Sequence, residues 1–79
     1  MRMKTEEEWS DDAKRLLRAE MTRRGITYDG LAEQLAMIGV TDTAVNIRNK
    51  VARGKFSAAF FLQTLTALGC KTLRLSDDG

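Results

Sequence analysis

Asn46, Asn49, Lys50 and Arg53 put two carboxamides and two cations close together in a stretch that holds no acid from Thr43 to Arg74. At 100° per residue they fall, with Asp42, on the side of a helix opposite Ala44, Ile47 and Val51. A carboxamide pairs bidentately with adenine in the DNA major groove, and an ammonium or guanidinium pairs with guanine. Cations also hold phosphates. Asn46, Asn49 and Lys50 are therefore candidate base contacts, and Arg53 and Lys55 candidate phosphate contacts. Thr41 and Thr43 stand where the helix begins, where backbone N–H groups and short hydroxyls suit a phosphate. Arg48 lies toward the apolar side and is expected to snorkel out or pack on a neighbour. A polar face opposite an apolar one is also what any surface helix shows, so this pattern alone leaves both readings open.

The charge distribution adds to it. The chain carries 13 basic and 11 acidic residues, a net charge of +2. Five of the acids (Glu6, Glu7, Glu8, Asp11, Asp12) lie near the start, and Asp77 and Asp78 lie near the end. Between Ala13 and Leu75 eleven bases face four acids (Glu20, Asp29, Glu33, Asp42), so this body carries +7. A basic body with acidic ends suits a polyanion partner, or is a set of ordinary solvated charges.

Other chemistries are poorly supplied. Without His there is no Ser-His or Cys-His pair, and one Cys allows neither an internal disulfide nor a zinc site. The expectation is no enzyme, no metal and no cofactor. Adjacent acids on a helix diverge, so Glu6, Glu7 and Glu8 suit a cap better than a cation site. Cys70 beside Lys71 is either a reactive thiol or, as isolated Cys usually are, a small buried hydrophobe. Trp9 and Tyr28 suit helix packing better than base stacking. No apolar run approaches a membrane span, and the opening residues lack the apolar stretch of a signal peptide. The expectation is a cytoplasmic protein without membrane contact.

The elements that must position these residues are helices punctuated by glycine. Thr5-Glu6-Glu7-Glu8 fits a capping box, with Ser10 a second start signal. Trp9, Ala13, Leu16, Leu17 and Met21 form one apolar stripe ending at Gly25. Thr27 caps a second helix whose buried stripe is Leu31, Ala32, Leu35 and Ile38, stopped by Gly39. Thr41, Asp42 or Thr43 caps the third, which ends at Gly54. Ser57 caps a fourth, Ala58 to Leu68, apolar nearly all round and so either central or half of an interface. Leu73 and Leu75 would share one face of a short strand over 70–75.

The order of these pieces resembles the phage-repressor-like (xenobiotic-response-element type) helix-turn-helix family. Arg24-Gly25-Ile26-Thr27 before Leu31-Ala32-Glu33-Gln34-Leu35 resembles its entry into the motif. Gly39-Val40-Thr41 resembles its turn, and Val51-Ala52-Arg53-Gly54 the end of its recognition helix. Phe56-Ser57 and Phe61, Leu62, Leu65, Leu68-Gly69 resemble the last helices, so the likeness covers residues 16–69. Ala52 replaces the usual Glu, Phe56 replaces Pro, and the segment from Ala32 to Gly54 is longer than the family pattern. Tyr28 stands where family members often carry a phosphate-touching Gln; its hydroxyl suits that role or the ring is core. The whole also resembles a small uncharacterised bacterial family of stand-alone domains.

The ending, Leu68 to Leu75, is similar to repressor-type antitoxins in which a strand after the last helix pairs across a dimer. Such pairing would satisfy a strand edge that is unstable alone. It would also cover the apolar fourth helix, so Phe60, Leu62, Leu73 and Leu75 are the candidate dimer interface.

The sequence thus predicts an all-α, compact four-to-five-helix repressor-like helix-turn-helix domain, with a short C-terminal β-strand as an option. Residues 1–9 form an acidic lead-in, 10–69 the domain, 70–75 the dimerising strand and 76–79 a tail. The expected function is double-stranded DNA binding by a homodimeric transcriptional regulator. Phosphates would be held by Arg24, Tyr28, Thr41, Thr43, Arg53 and Lys55. The alternative is a protein-interaction module, an adaptor or antitoxin-like partner, that keeps the fold without reading DNA.

Overall fold

The computed structural model describes residues 2–75. The expected tail, 76–79, lies outside the described residues. Four helices account for the fold: α1 (Glu6–Arg24), α2 (Tyr28–Met37), α3 (Ala44–Arg53) and α4 (Ala58–Leu68). The chain is all-α, and no strand occurs among the described residues.

Each start is written locally. The Thr5 hydroxyl accepts from the Glu8 N–H at 3.2 Å, and the Glu8 carboxylate accepts from the Thr5 N–H at 2.9 Å, a complete capping box. Thr27, Thr43 and Ser57 accept in the same way from Gly30, Asn46 and Phe60. Each such cap is worth about 1 kcal/mol. The stops repeat too. Ile26, Val40 and Cys70 each donate back to the carbonyl five residues earlier (Met21, Leu35, Leu65) across a left-handed glycine. This Schellman closure needs the positive φ that glycine adopts freely.

Packing follows the apolar stripes. α1 and α2 each lie against both α3 and α4. Leu17 of α1, Leu31 and Leu35 of α2, and Ile47 and Val51 of α3 are fully buried, with Phe60, Leu65 and Leu68 of α4 nearly so. Thr64 is buried among them and satisfies its hydroxyl by donating to the Phe60 carbonyl at 2.8 Å. Gly54 brings α3 against α1. A Cβ there would stand 2.5 Å from the Ser10 carbonyl oxygen.

Three expectations need correction. Trp9 is 58% exposed rather than part of the apolar stripe, with the Lys4 ammonium 4.4 Å from its ring centre. It lies in the first turn of α1, outside the buried cluster. Ile38 is 44% exposed because α2 stops at Met37; Val40 packs on the core in its place. Residues 70–74 run as coil, with the Cys70 thiol donating to the Thr72 carbonyl. A lone strand there has no neighbour in the chain to pair with.

Candidate nucleic-acid interface

α3 offers its outer face because α1 and α2 occupy the other side. Ile47 and Val51 are buried, and Val45, Asn46, Arg48, Asn49, Ala52 and Arg53 are exposed. Val45, Asn49 and Ala52 follow one another along one ridge at four- and three-residue spacing, and Asn46 and Arg53 flank it. Val45 and Ala52 on this ridge escaped the sequence reading. The signal was present, since position 45 lies one turn from Asn49 on the same ridge.

Lys50 does not project with the asparagines. On the helix it lies about 60° from Ile47 and about 40° from Asn46, at the border of the outer face. Its ammonium donates to the Asp42 carboxylate at 2.8 Å and sits 4.7 Å from the centre of the Phe60 ring. Asp42 is held below the usual carboxylate range. The Lys50 hydrogen bond is the main cause, opposed by burial and helped by the Thr43 N–H and the Asn46 carboxamide. The acid at the start of α3 is therefore neutralised internally, and it favours the helix dipole.

The expected phosphate contacts are spread along the same side of the sequence but differ in freedom. Thr41 is exposed. Thr43 accepts from the Asn46 N–H and keeps its hydroxyl proton to donate. Arg53 is exposed and makes no ion pair among the described residues. Lys55 is exposed, with Glu7 at 3.7 Å. Tyr28 is half-buried against the core, and the Arg48 guanidinium lies 5.7 Å from its ring centre. Arg24 is bound to Glu20, which also accepts from Arg23 at 2.5 Å. Burial pushes the Glu20 carboxyl up, but the hydrogen bonds from Arg24 and Arg23 outweigh it and hold it below its ordinary value. Glu20 with its two arginines thus keeps one net positive charge.

The acidic lead-in is folded back on cations. Glu8 pairs with Arg2, Asp12 with Lys4 and Arg15, and Asp11 with Lys14. The Lys14 ammonium also reaches the Ala52 carbonyl at 3.3 Å, and Ser10 touches Gly54. The acids of α1 therefore stand at the C-terminal end of α3, and its first two turns face away from them. An open hollow of about 430 Å³ lined by Arg2, Met3, Lys4 and Trp9 has its cations committed to Glu8 and Asp12.

The expected dimer residues divide. Phe60 is a core residue, 5% exposed, and cannot offer a surface. Leu73 leans on the core. Leu62 and Leu75 are exposed. The outer side of α4 (Ala58, Ala59, Leu62, Thr66) carries no charge.

The sequence pattern of one protein family, described as a domain of unknown function (DUF6471), matches residues 9–73. The chain belongs to that family. No curated protein and no solved structure matches the chain. The DUF6471 match takes in α1 from Trp9 onward and all of α2, α3 and α4, so the outer face of α3 lies within the family domain. It supplies no link to the repressor-like proteins that residues 16–69 resemble. No helix among the described residues of this DUF6471 chain is long and apolar enough to cross a membrane. No group of metal-ligating side chains comes together among them either.

Proposed function

We propose that the chain is a sequence-specific double-stranded DNA-binding protein, a small transcriptional regulator that lays α3 in the major groove. The observation that carries this reading is the outer face of α3. Two exposed carboxamides stand on a helix without an acid, and the acid just before it, Asp42, is already neutralised. The unit of α2, connection and α3 supports it, because a recognition helix needs a second helix to hold it at the groove. Arg53 and Lys55 would anchor phosphates after α3, Thr41 and Thr43 before it, Arg24 from the end of α1 and Tyr28 from the start of α2. Leu62 and Leu75 would meet a second copy, and the pair would present two α3 helices to half-sites roughly 34 Å apart.

The test is a fluorescence anisotropy titration of the protein against duplex DNA over a series of salt concentrations. With Arg24, Arg53 and Lys55 on phosphates in each protomer, the log–log slope for a dimer is about −5. Absence of binding at low salt, or binding without a salt slope, defeats the proposal.

A second reading, a protein-interaction module, is favoured by exposed apolar residues away from α3. Met37 and Ile38 stand out at the end of α2, and Leu62 on α4 is 63% exposed. A pull-down that recovers one stoichiometric protein and no DNA would select it.

A further inference from the structure

The first two turns of α3 carry two cations, and each has a partner, although Arg48 is exposed. Lys50 is held by Asp42 and lies over Phe60. Arg48 leans on the Tyr28 ring. Arg53 is the last residue of the helix, at the end that Ser10 and the acids of α1 adjoin. In a helix-turn-helix arrangement the N-terminal part of the recognition helix meets the base edges. Here that part presents Val45, 58% exposed, with Asn49 one turn further on the same ridge.

Resting on the DNA-binding reading above, we infer that this ridge selects A·T base pairs, Asn49 pairing with adenine and Val45 packing on the methyl group of a neighbouring thymine. The chemistry is specific. A carboxamide offers one donor and one acceptor, which match adenine N6–H₂ and N7. Guanine presents two acceptors at the same edge, O6 and N7, and leaves the carboxamide oxygen facing an oxygen. The side chains that pair with guanine are Arg and Lys; Lys50 is paired with Asp42, and the Arg48 guanidinium lies toward the Tyr28 ring. A valine placed among base edges finds an apolar partner only in the thymine methyl.

The experiment begins with selection of bound duplexes from a randomised pool by the whole chain. The best site is then remade with uracil for thymine, which removes the methyl group, and with 7-deazaadenine for adenine, which removes N7. The inference expects A·T pairs in each half-site. Uracil should weaken wild-type binding severalfold but leave Val45→Ala unchanged. Loss of N7 should weaken wild type roughly tenfold and leave Asn49→Ala unchanged. Both side chains are exposed, so neither variant disturbs the core, and a circular dichroism melt verifies that each is folded. Selected sites rich in G·C, or affinities indifferent to both base analogues, overturn the inference. If binding in those cases still falls with salt, the DNA-binding reading stands without it. If no duplex is retained at low salt, both fail.

Discussion

Replacing Gly54 by alanine measures how closely α3 is held to α1. Gly25 and Gly54 adopt the same left-handed conformation, with φ of 65° and 66°. Alanine at either site pays the steric cost of that conformation, about 1 kcal/mol. At Gly25 the added Cβ meets nothing within 4 Å, so that is the whole cost. At Gly54 the same atom stands 2.5 Å from the Ser10 carbonyl oxygen and 3.0 Å from its carbonyl carbon. These are backbone atoms of a helix and cannot rotate away. α1 and α3 must separate, which adds about 1–3 kcal/mol in the manner of an overpacked core. A domain of this size has roughly 4–12 kcal/mol in all. Each kcal/mol lowers the melting midpoint by about 4–8 °C. In thermal melts followed by circular dichroism, Gly54→Ala should therefore melt well below Gly25→Ala, which itself melts below wild type. If the two variants melt together, the close approach of α3 to α1 at Ser10 is wrong, and the seating of α3 is wrong with it.

Other outcomes follow from the same geometry. Ile47→Ala removes a fully buried side chain from the inner face of α3 and should cost about 2–5 kcal/mol in urea unfolding. Thr43→Ala loses the cap on the Asn46 N–H and should cost about 1 kcal/mol, with α3 fraying in amide exchange. Stability should fall on acidification. Glu8 is lowered from 4.5 to about 2, chiefly by the Arg2 hydrogen bond and then by the Thr5 N–H. Glu20 and Asp42 are lowered too, so what these carboxylates contribute is present above their unfolded values and lost as pH falls through the folded ones. Melting midpoints measured from neutral pH down to about 2 should trace this loss. Glu20→Gln should flatten part of it. Lys50→Ala should raise the Asp42 pKa and cost about 1 kcal/mol, since the exposed ammonium is partly screened.

The helices were legible because their signals are local. Thr5, Thr27, Thr43 and Ser57 cap where short hydroxyls precede helical periodicity, and Gly25, Gly54 and Gly69 stop where φ turns positive. The buried side of α3 was legible for the same reason, since Ile47 and Val51 recur at helical spacing. What depends on neighbours was not. Trp9 obeys the periodicity of α1 but stays outside the buried cluster, with Lys4 over its ring. Ile38 obeys that of α2 but falls after the helix has ended. Phe60 looked like surface on a helix apolar all round, but it is buried beside Phe56 and under Lys50. At the candidate site, Asn46, Asn49 and Arg53 are as exposed as a helical projection implies. Lys50 lies on the border of that projection, and only the tertiary position of Asp42 decides which way it turns.

The proposed DNA contact lies on the outer face of α3. An amide chemical-shift titration of the labelled whole chain with duplex DNA at low and raised salt probes that face residue by residue. Shifts should concentrate at Val45, Asn46, Asn49 and Arg53, with smaller ones at Thr41, Thr43 and Lys55, all reversed by salt. Shifts confined to α4 around Leu62, or none at low salt, would contradict it.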